Sequence, residues 1–436
     1  MQMFDSVIYN CAIITVNPRF DIISDGVIGI KDGRIAIVEA RDANMPLPLS
    51  TEKLDAQGGI VMPGLVNTHT HLPMTLFRGL ADDLPLHTWL NEHIFPAEKK
   101  SICPESVYAG TLLACAEMLL SGTTCCCDGY FFEDDTARAI AVAGMRAVAA
   151  QGVIDFPAPG VPDPSLNIQT ASAFVDKWQG AYSTITPSIF CHSPYTCSSE
   201  TLKAAKKTAR AKDILFQIHV AETKTERENC LTEHGVTPIK YLETLGILDQ
   251  KTLLAHTIWV DEDDIEIIAK SGANISITTE SEMKLASGIA PLPEFIKAGL
   301  TVGLGTDGCA SNNDLDLFRE LDVTAKLHKV NTGDPCVADA ETVIKLATIG
   351  GAKAIRLDHL IGSVEPGKQA DLIIIDTHKP HLTPVYNLPS LIVYAVSGAD
   401  VRDVLVSGKA VVRNRQLLTS DVNVIMDDVN RMRITD

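Results

Sequence analysis

The sequence predicts an α/β protein: a (β/α)8 barrel of the TIM type with a small β-sandwich domain built from both chain termini. Three observations support this fold class. Eight short apolar runs alternate with helix-like segments in the middle of the 436-residue chain, both ends alternate as β-strands do, and polar residues stand where several central runs end. A doubly wound sheet is the alternative, but no GxGxxG loop follows the first run.

The two ends of the chain carry the alternation of apolar and polar residues that half-buried strands show. The N-terminal part contains SVIYNCAIITV and GVIGIKDGRIAIV, and the C-terminal part contains ADLIIID, VRDVLVSG and KAVVRNRQLL. Because neither end is long enough to fold well alone, we predict that residues 1–59 and 365–436 form one small β-sandwich domain. Residues 60–364 then form the barrel, which would be the catalytic domain.

Eight central runs are the predicted barrel strands. They lie at residues 60–71, 122–130, 145–154, 184–194, 214–222, 252–260, 273–281 and 300–308. The segments between them, such as PESVYAGTLLACAEMLLSG and SETLKAAKKTARAKD, space their apolar residues as helices do. Eight strand–helix alternations in about 300 residues are typical of one barrel.

The composition argues against two classes of partner. The net charge is −18, so we expect neither nucleic acid nor an anionic membrane as the main partner. No apolar run approaches the roughly 20 residues of a membrane span. The eleven cysteines form no CxxC pair, which predicts reduced thiols and a cytoplasmic location. We also expect a homo-oligomer, either a dimer or a tetramer.

Polar side chains stand at the predicted carboxyl ends of five runs, where a barrel places its active site. They are His69 and His71 in run 1, His192 in run 4, His219 and Glu222 in run 5, His256 in run 6 and Asp307 in run 8. A lone histidine in a strand is usually structural, and His192 could be a hydrogen-bonded wall residue. The remaining histidines fall in predicted helices or loops and are expected at the surface: His87, His93, His234, His328, His359, His378 and His381.

The spacing of the first two histidines favours a metal site. Residues i and i+2 of a strand project to the same face, so His69 and His71 can direct two imidazoles at one point. His219 and Asp307 would add a third imidazole and a carboxylate. This set matches a catalytic zinc ion with one position left for water, and iron(II) or manganese would also fit.

Several motifs resemble one known family. They are PGLVNTHTHLPMTLFRGLADDLPLHTWL, HSPYTCS, HVAET, LLAH, KLASGIAP and GLGTDGCASNNDLDLF. In this order and over nearly the whole chain, they resemble the amidohydrolase superfamily and, within it, the 5-methylthioadenosine/S-adenosylhomocysteine deaminases. A binuclear amidase would need a bridging lysine at the end of strand 4, where this chain has His192.

The resemblance implies a fold, a cofactor and a reaction. One divalent metal ion, which we expect to be Zn²⁺, would be held by His69, His71, His219 and Asp307. The reaction would be hydrolytic deamination of an adenine nucleoside at C6 to the inosine analogue and ammonia. In this family the metal activates a water to hydroxide, since it lowers the pKa of bound water towards about 7.

The resemblance also implies catalytic roles. Glu222 would deliver a proton to ring nitrogen N1 and then shuttle another. His256 would hydrogen-bond and polarise the attacking hydroxide. Asp307 would take the proton of the water and pass it to the leaving ammonia, so Glu222 and Asp307 would both contact the substrate.

Three further residues are implied to bind the nucleoside. Trp89 and Glu98, in WLNEHIFPAE, would enclose it, with Glu98 accepting hydrogen bonds from the ribose hydroxyls. His192 would contact the purine or ribose. The alternatives are that Trp89 packs a helix and that Glu98 is a solvated charge.

Two departures from the family pattern bear on the substrate. Where relatives that use S-adenosylhomocysteine carry arginines after strand 3, this chain has Gln151 and no arginine before Trp178. An unpaired carboxylate is costly to desolvate, so we predict a preference for 5′-methylthioadenosine or adenosine, with the apolar loop 156–164 receiving the methylthio group. In addition, Glu282 stands where the family has Asn, adding a negative charge near the mouth of strand 7.

Two rival hypotheses stay open at this point. A mononuclear-metal deaminase or dechlorinase of another heterocycle, such as guanine, cytosine or a triazine, would not need Glu98 for a ribose. A catalytically silent binding barrel would typically lose its proton-transfer residues, but Glu222, His256 and Asp307 are all present.

Overall fold

Two sheets organise the chain in a computed structural model that describes residues 3–42 and 44–433. One is an eight-stranded parallel sheet and the other is a nine-stranded mixed sheet. The strands are β1 (Phe4–Ile14), β2 (Ile22–Lys31), β3 (Arg34–Ala40), β4 (Ser50–Asp55), β5 (Ile60–Pro63), β6 (Leu65–Thr70), β7 (Thr123–Tyr130), β8 (Arg146–Val153), β9 (Ile185–Cys191), β10 (Phe216–Val220), β11 (Thr252–His256), β12 (Asn274–Ile277), β13 (Val302–Leu304), β14 (Leu372–Ile375), β15 (Val401–Val406), β16 (Lys409–Arg413) and β17 (Gln416–Leu417).

Helices connect the strands. They are α1 (Leu86–Thr88), α2 (Phe95–Ser101), α3 (Pro104–Leu120), α4 (Glu133–Ala143), α5 (Asn167–Trp178), α6 (Ser199–Ala211), α7 (Lys224–His234), α8 (Pro238–Thr244), α9 (Glu262–Ser271), α10 (Thr279–Lys284), α11 (Leu292–Lys297), α12 (Leu317–Thr332), α13 (Ala340–Lys345), α14 (Gly351–Ala354), α15 (Leu388–Tyr394) and α16 (Val422–Arg431). Short 3₁₀ or π turns occupy Leu72–Phe77, Trp89–Ile94, Pro164–Leu166, Leu346–Gly350, Pro380–Leu382 and Gly398–Asp400. No helix in the described part of the chain is long and apolar enough to cross a membrane.

Local sequence sets the helix limits, as α9 illustrates. Asp261 accepts a hydrogen bond at 3.0 Å from the backbone N–H of Asp264, which caps the free N–H groups of the first turn. The helix ends at Gly272, whose φ of 72° is left-handed and costs glycine little. Asp261 and Gly272 therefore fix both ends of α9.

The eight strands β6 to β13 follow one another in the parallel sheet, each paired with its neighbour in sequence. The ring is closed on the carboxyl side, where the backbone N–H of Asp307 donates to the carbonyl of His69 at 3.0 Å. The side chain of Asn67 also donates to Thr306 Oγ1 at 2.8 Å across the same seam. All eight predicted runs contain a barrel strand, and the predicted fold class is confirmed.

The mixed sheet is built from both ends of the chain. Strand β14 pairs antiparallel with β5, and β5 pairs parallel with β1, so C-terminal strands continue a sheet that the N-terminal strands begin. Strand β5 at Ile60–Pro63 belongs to this sheet, and the barrel begins with β6. The domain limits 1–59, 365–436 and 60–364 stay a prediction. They include residues 1, 2, 43 and 434–436, which lie outside the described residues.

A buried ion pair joins the barrel to the mixed sheet. Arg146 in β8 donates from Nε to Asp371 Oδ2 at 2.7 Å and from Nη2 to Oδ1 at 3.1 Å. Asp371 precedes β14, and its Oδ1 also accepts the backbone N–H of Ser407 at 2.7 Å. This bidentate pairing gives both charged groups hydrogen-bond partners, which offsets the cost of burying them.

Candidate active site and metal centre

The two histidines of β6 present their rings on the same side of the barrel. Their ring centroids are 4.8 Å apart. His71 Nδ1 lies 2.7 Å from the carbonyl oxygen of Gly129. Because a carbonyl can only accept, Nδ1 carries the proton and the lone pair of Nε2 is left to face the other histidines.

His219 and Asp307 meet this pair. Nε2 of His219, in β10, is 3.1 Å from Nε2 of His69. Asp307 follows β13, and its Oδ1 lies 3.5 Å from Nε2 of His69 and 3.4 Å from Nε2 of His71. One nitrogen from each of the three histidines lies within 4.8 Å of the other two. The four predicted ligands therefore converge from the first, fifth and eighth strands.

The charge states of these groups suit a divalent cation. Burial lowers the pKa of His69 to about 4 and the pKa of His219 well below its ordinary value. Burial alone would raise the pKa of Asp307, but its contacts with His69 and His71 hold it well below the usual range. Rings that favour the neutral form and a carboxylate that stays ionised are the donors that Zn²⁺ and similar ions bind.

Neighbouring hydroxyls fix the Asp307 carboxylate. Ser281 and Ser311 donate to its Oδ2 at 2.7 and 2.8 Å. Its backbone has a φ of 63°, and the N–H of Gly308 donates to Oδ1 at 2.8 Å. A Cβ at Gly305 would lie 2.8 Å from the backbone nitrogen of His69, so only glycine lets the eighth strand approach the first this closely. The ligand is thus held before any ion binds.

Glu222 and His256 lie beside the histidine group. Glu222 Oε2 is 4.0 Å from His256 Nε2. Burial raises the pKa of Glu222 above its ordinary value. Burial alone would lower the pKa of His256, but the carboxylates of Glu222, Glu282 and Asp307 outweigh it and raise this pKa to about 9. A carboxyl group and an imidazole that can each gain and lose a proton therefore lie side by side next to the three histidines.

A cavity opens above this group, and most of its lining is apolar. Its described lining residues are His71, Met74, Leu86, Trp89, Leu90, Ile94, Phe95, Glu98, Gly129, Tyr130, Phe131, Gly152, Val153, Ile154, Phe190, His192, Tyr195, His219, Glu222, His256, Leu285, Asp307 and Ser311. Every predicted site residue except His69 lines this cavity, and His69 lies just beneath it, 2% exposed. None of these described lining residues is lysine or arginine.

Glu98 is a buried carboxyl group in the cavity wall. It is 5% exposed, so the alternative of a solvated charge is wrong. The hydroxyl of Tyr130, at the end of β7, donates to Glu98 Oε1. Burial raises the pKa of Glu98 to about 7, and the hydrogen bond from Tyr130 opposes this. The second carboxylate oxygen remains to accept hydrogen bonds from a ligand.

His192 and Trp89 complete the polar and aromatic wall. Nδ1 of His192 lies 3.0 Å from Thr196 Oγ1, and its ring is 5.1 Å from the ring of His219. Burial lowers the pKa of His192 to about 3, so the ring is neutral. Trp89 is 6% exposed and packs among apolar residues while also lining the cavity, so packing and ligand contact are compatible.

Three neighbours of the site were not predicted from the sequence: Tyr130, Ser281 and Ser311. Tyr130 is the last residue of its strand, and the rule that located the histidines would have located it too. Ser281 and Ser311 lie in a short helix and a loop after strands β12 and β13, where no periodic pattern marks them.

Among the other histidines, six are exposed as predicted, but His328 is buried at 1% exposure because it lies on the inner face of α12. The predicted loop 156–164 does not itself line the cavity; Phe156 instead packs on the lining residue Phe95, with ring centroids 5.8 Å apart.

Comparisons with known proteins agree with this geometry. The sequence profile of the amidohydrolase family matches residues 60–411. The chain is 43% identical over 428 residues to a 5-methylthioadenosine/S-adenosylhomocysteine deaminase of Syntrophobacter fumaroxidans, covering 98% of this chain and 97% of the relative. It is 41% identical over 430 residues to a 5′-deoxyadenosine deaminase of Methanosarcina acetivorans, again covering 98% and 97%.

One solved structure is also closely similar. An adenosine deaminase from Xanthomonas campestris with bound zinc matches with a TM-score of 0.96 at 34% identity, covering 99% of this chain and 98% of that one. Together these matches confirm the resemblance that the motifs predicted.

Proposed function

The chain belongs to the amidohydrolase family, and we propose that it is a metal-dependent deaminase that converts an adenine nucleoside to its inosine analogue and ammonia. One observation carries this proposal: a single cavity joins the His69, His71, His219 and Asp307 group to the buried Glu98 carboxyl group. The first end suits hydrolysis at a ring carbon, and the second suits a ribose diol.

We propose Zn²⁺ as the resident ion. The donor set of three imidazoles and one carboxylate supports this choice, as does the zinc in the similar structure from Xanthomonas. When bound, the ion supplies a Lewis acid that lowers the pKa of a water towards about 7.

The protein's own residues then move the protons. Glu222 donates a proton to N1 so that C6 becomes electrophilic, and the burial that raises its pKa supports this role as an acid. His256, which lies beside Glu222, orients the attacking water. Asp307 accepts one proton of that water and passes it to the amine nitrogen, and Glu222 takes back the other. The C6–N bond then breaks, releasing ammonia and leaving a carbonyl at C6.

The wall of the cavity would hold the nucleoside. The free oxygen of Glu98 accepts hydrogen bonds from the ribose hydroxyls, while Tyr130 fixes the other oxygen. Trp89 covers the nucleoside and the neutral His192 donates or accepts a hydrogen bond at the purine or ribose. Because the ring stays neutral, His192 adds no charge to the substrate site.

We further propose that substrates with a neutral 5′ group are preferred, namely 5′-methylthioadenosine, 5′-deoxyadenosine and adenosine. No described residue lining the cavity is a lysine or arginine that could pair with the carboxylate of S-adenosylhomocysteine. Phe95 and Ile154 instead offer apolar contacts to a methylthio or methyl group. The name of the Methanosarcina relative, a 5′-deoxyadenosine deaminase, supports this choice.

An ammonia-release assay tests the proposal. The zinc-loaded protein is given the four nucleosides together with guanine, cytosine and a chlorotriazine, and the metal content of the same sample is measured. We expect kcat/KM for 5′-methylthioadenosine to exceed that for S-adenosylhomocysteine by about 10-fold or more, since one poorly paired charge costs over 1.4 kcal/mol. Faster turnover of a free base or triazine than of every nucleoside would contradict the proposed function.

The cellular setting is also part of the proposal. We propose a cytoplasmic homodimer or homotetramer that acts on small nucleosides and has no nucleic-acid or membrane partner. The net charge of −18 supports the exclusion of polyanions, and all eleven cysteines are free thiols. Light scattering on the purified protein measures the assembly state.

A further inference from the structure

Glu282 is the residue in α10 that departs from the family pattern, and it does not lie at the open mouth of the barrel as the sequence suggested. It is 3% exposed. Its Oε1 accepts the backbone N–H of Thr278 at 3.0 Å. A carboxyl group buried this deeply must find partners, and the partners determine what it can do.

The partners of Glu282 lead directly to His256. Thr278 Oγ1 lies 3.4 Å from Glu282 Oε1 and 3.0 Å from His256 Nδ1. Glu282 Oε1 itself is 3.8 Å from His256 Nδ1. The three side chains form a short chain of hydrogen bonds behind the imidazole.

The direction of these hydrogen bonds follows from the number of protons. The Thr278 hydroxyl has one proton, and the Glu282 carboxylate can only accept it. The lone pairs of that hydroxyl then accept Nδ1–H of His256. Nδ1 is therefore held as a donor, and Nε2 is turned towards Glu222, whose Oε2 lies 4.0 Å away.

We propose that Glu282 is a positioning residue for the deamination, acting through Thr278 to fix the orientation of His256 with Nδ1 protonated. This rests on the proposed function, in which His256 orients the attacking water. The same helix supports the metal side of the site, because Ser281 donates to Asp307. Helix α10 thus aligns both a proposed ligand and a proposed proton-transfer residue.

Two substitutions and one matched control test the role of Glu282. Glu282→Ala removes the acceptor, whereas Glu282→Gln keeps an amide oxygen in its place. Glu280→Ala is the control, since Glu280 lies in the same helix but its Oε1 pairs with Arg319 at 3.3 Å. Each zinc-loaded variant is assayed for kcat and KM on 5′-methylthioadenosine, for zinc content and for melting temperature.

We expect Glu282→Ala to lower kcat by about 10- to 100-fold, the effect typical of residues that orient a catalytic group, with KM and zinc content changed less than about twofold. Glu282→Gln regains most of the lost kcat, and Glu280→Ala retains full kcat. Unchanged kcat in Glu282→Ala, or a loss matched by a loss of zinc or of melting temperature, would overturn the proposal.

A second readout needs no substrate. Imidazole nitrogen spectra of ¹⁵N-histidine-labelled protein are recorded on the alkaline side, where the ring of His256 carries a single proton, and His256 is assigned from a His256→Ala sample. They should show that proton on Nδ1 in the wild type and in Glu282→Gln. Glu282→Ala should lose that signature, and its persistence would refute the positioning role. If the wild type deaminates no nucleoside, the proposed function fails while this spectrum still tests the link between Glu282 and His256.

Discussion

The floor and the wall of the cavity are held in place differently. The floor consists of His69, His71, His219, Glu222, His256 and Asp307. Hydrogen bonds tie its members to neighbouring strands and loops, as Gly129 ties His71 and Ser281 ties Asp307. The wall consists of Tyr130 and His192 together with Leu86, Trp89, Leu90, Ile94, Phe95 and Glu98. These last six lie on the short helical turns of residues 86–98, which pack mainly through apolar contacts.

This difference indicates separate roles: the floor carries out the chemical step, and the wall selects the substrate. Groups aligned by hydrogen bonds cost no reorganisation when charge develops, so the floor should set kcat. A wall of apolar contacts with one carboxyl group should set which nucleoside binds and how tightly. Changes in the floor and the wall should therefore produce different kinetic signatures.

Removing a ligand from the floor should have the largest effect. In His71→Ala we expect zinc binding to fail and kcat/KM to fall by at least about 10⁴-fold, because the pKa of water returns from about 7 towards 15.7 without the ion. Metal analysis and the ammonia assay measure this. His234→Ala, which changes an exposed histidine in α7, is the control. A His71→Ala protein that kept its full zinc content and activity would contradict the proposal that the floor holds the catalytic metal.

Glu222→Gln tests proton transfer in the floor separately from metal binding. The amide cannot deliver a proton to N1, so kcat should fall by about 10³-fold while zinc content stays the same. Stopped assays at saturating substrate give kcat separately from KM. Retention of kcat would show that another group protonates the ring.

Glu98→Ala tests whether the wall binds the ribose. It removes charge-assisted hydrogen bonds worth about 1.5–3 kcal/mol, so KM for ribonucleosides should rise about 10- to 100-fold. For 2′,3′-dideoxyadenosine, which lacks the diol, KM should change little. Glu92→Ala is the matched control, because Glu92 is exposed in the turn Trp89–Ile94 that directly precedes α2. Equal losses on both substrates would mean that Glu98 does not contact the ribose.

The sequence predicted the floor better than the wall for a physical reason. His69 and His71 lie in a strand, where the period of two and the barrel topology determine the direction of each side chain. Leu90 and Phe95 lie in short α and π turns that carry no regular pattern, so their place in the cavity depends on packing. The same limit hid the burial of Glu282, because its contact through Thr278 leads to His256 in the neighbouring strand β11.

The smallest effect that we predict is a pH dependence confined to the wall. Burial raises the pKa of Glu98 to about 7, so a growing fraction of its carboxyl group is protonated as the pH falls below 7. An ionised carboxylate accepts stronger hydrogen bonds from the ribose than a protonated one, so kcat/KM for ribonucleosides should decline on the acid side by less than about 10-fold per pH unit.

The hydroxyl of Tyr130 lowers the pKa of Glu98, and this gives the pH dependence its own control. In Tyr130→Phe the acid decline should begin at a higher pH, because that opposing hydrogen bond is gone. With 2′,3′-dideoxyadenosine neither protein should show this decline, since Glu98 has no diol to hold. Profiles of kcat/KM from pH 5.5 to about 9, recorded for both proteins on a ribonucleoside and on 2′,3′-dideoxyadenosine, measure this acid decline. An acid limb that is identical in the two proteins, or that persists without the diol, would assign the titration to the floor and remove Glu98 from ribose recognition.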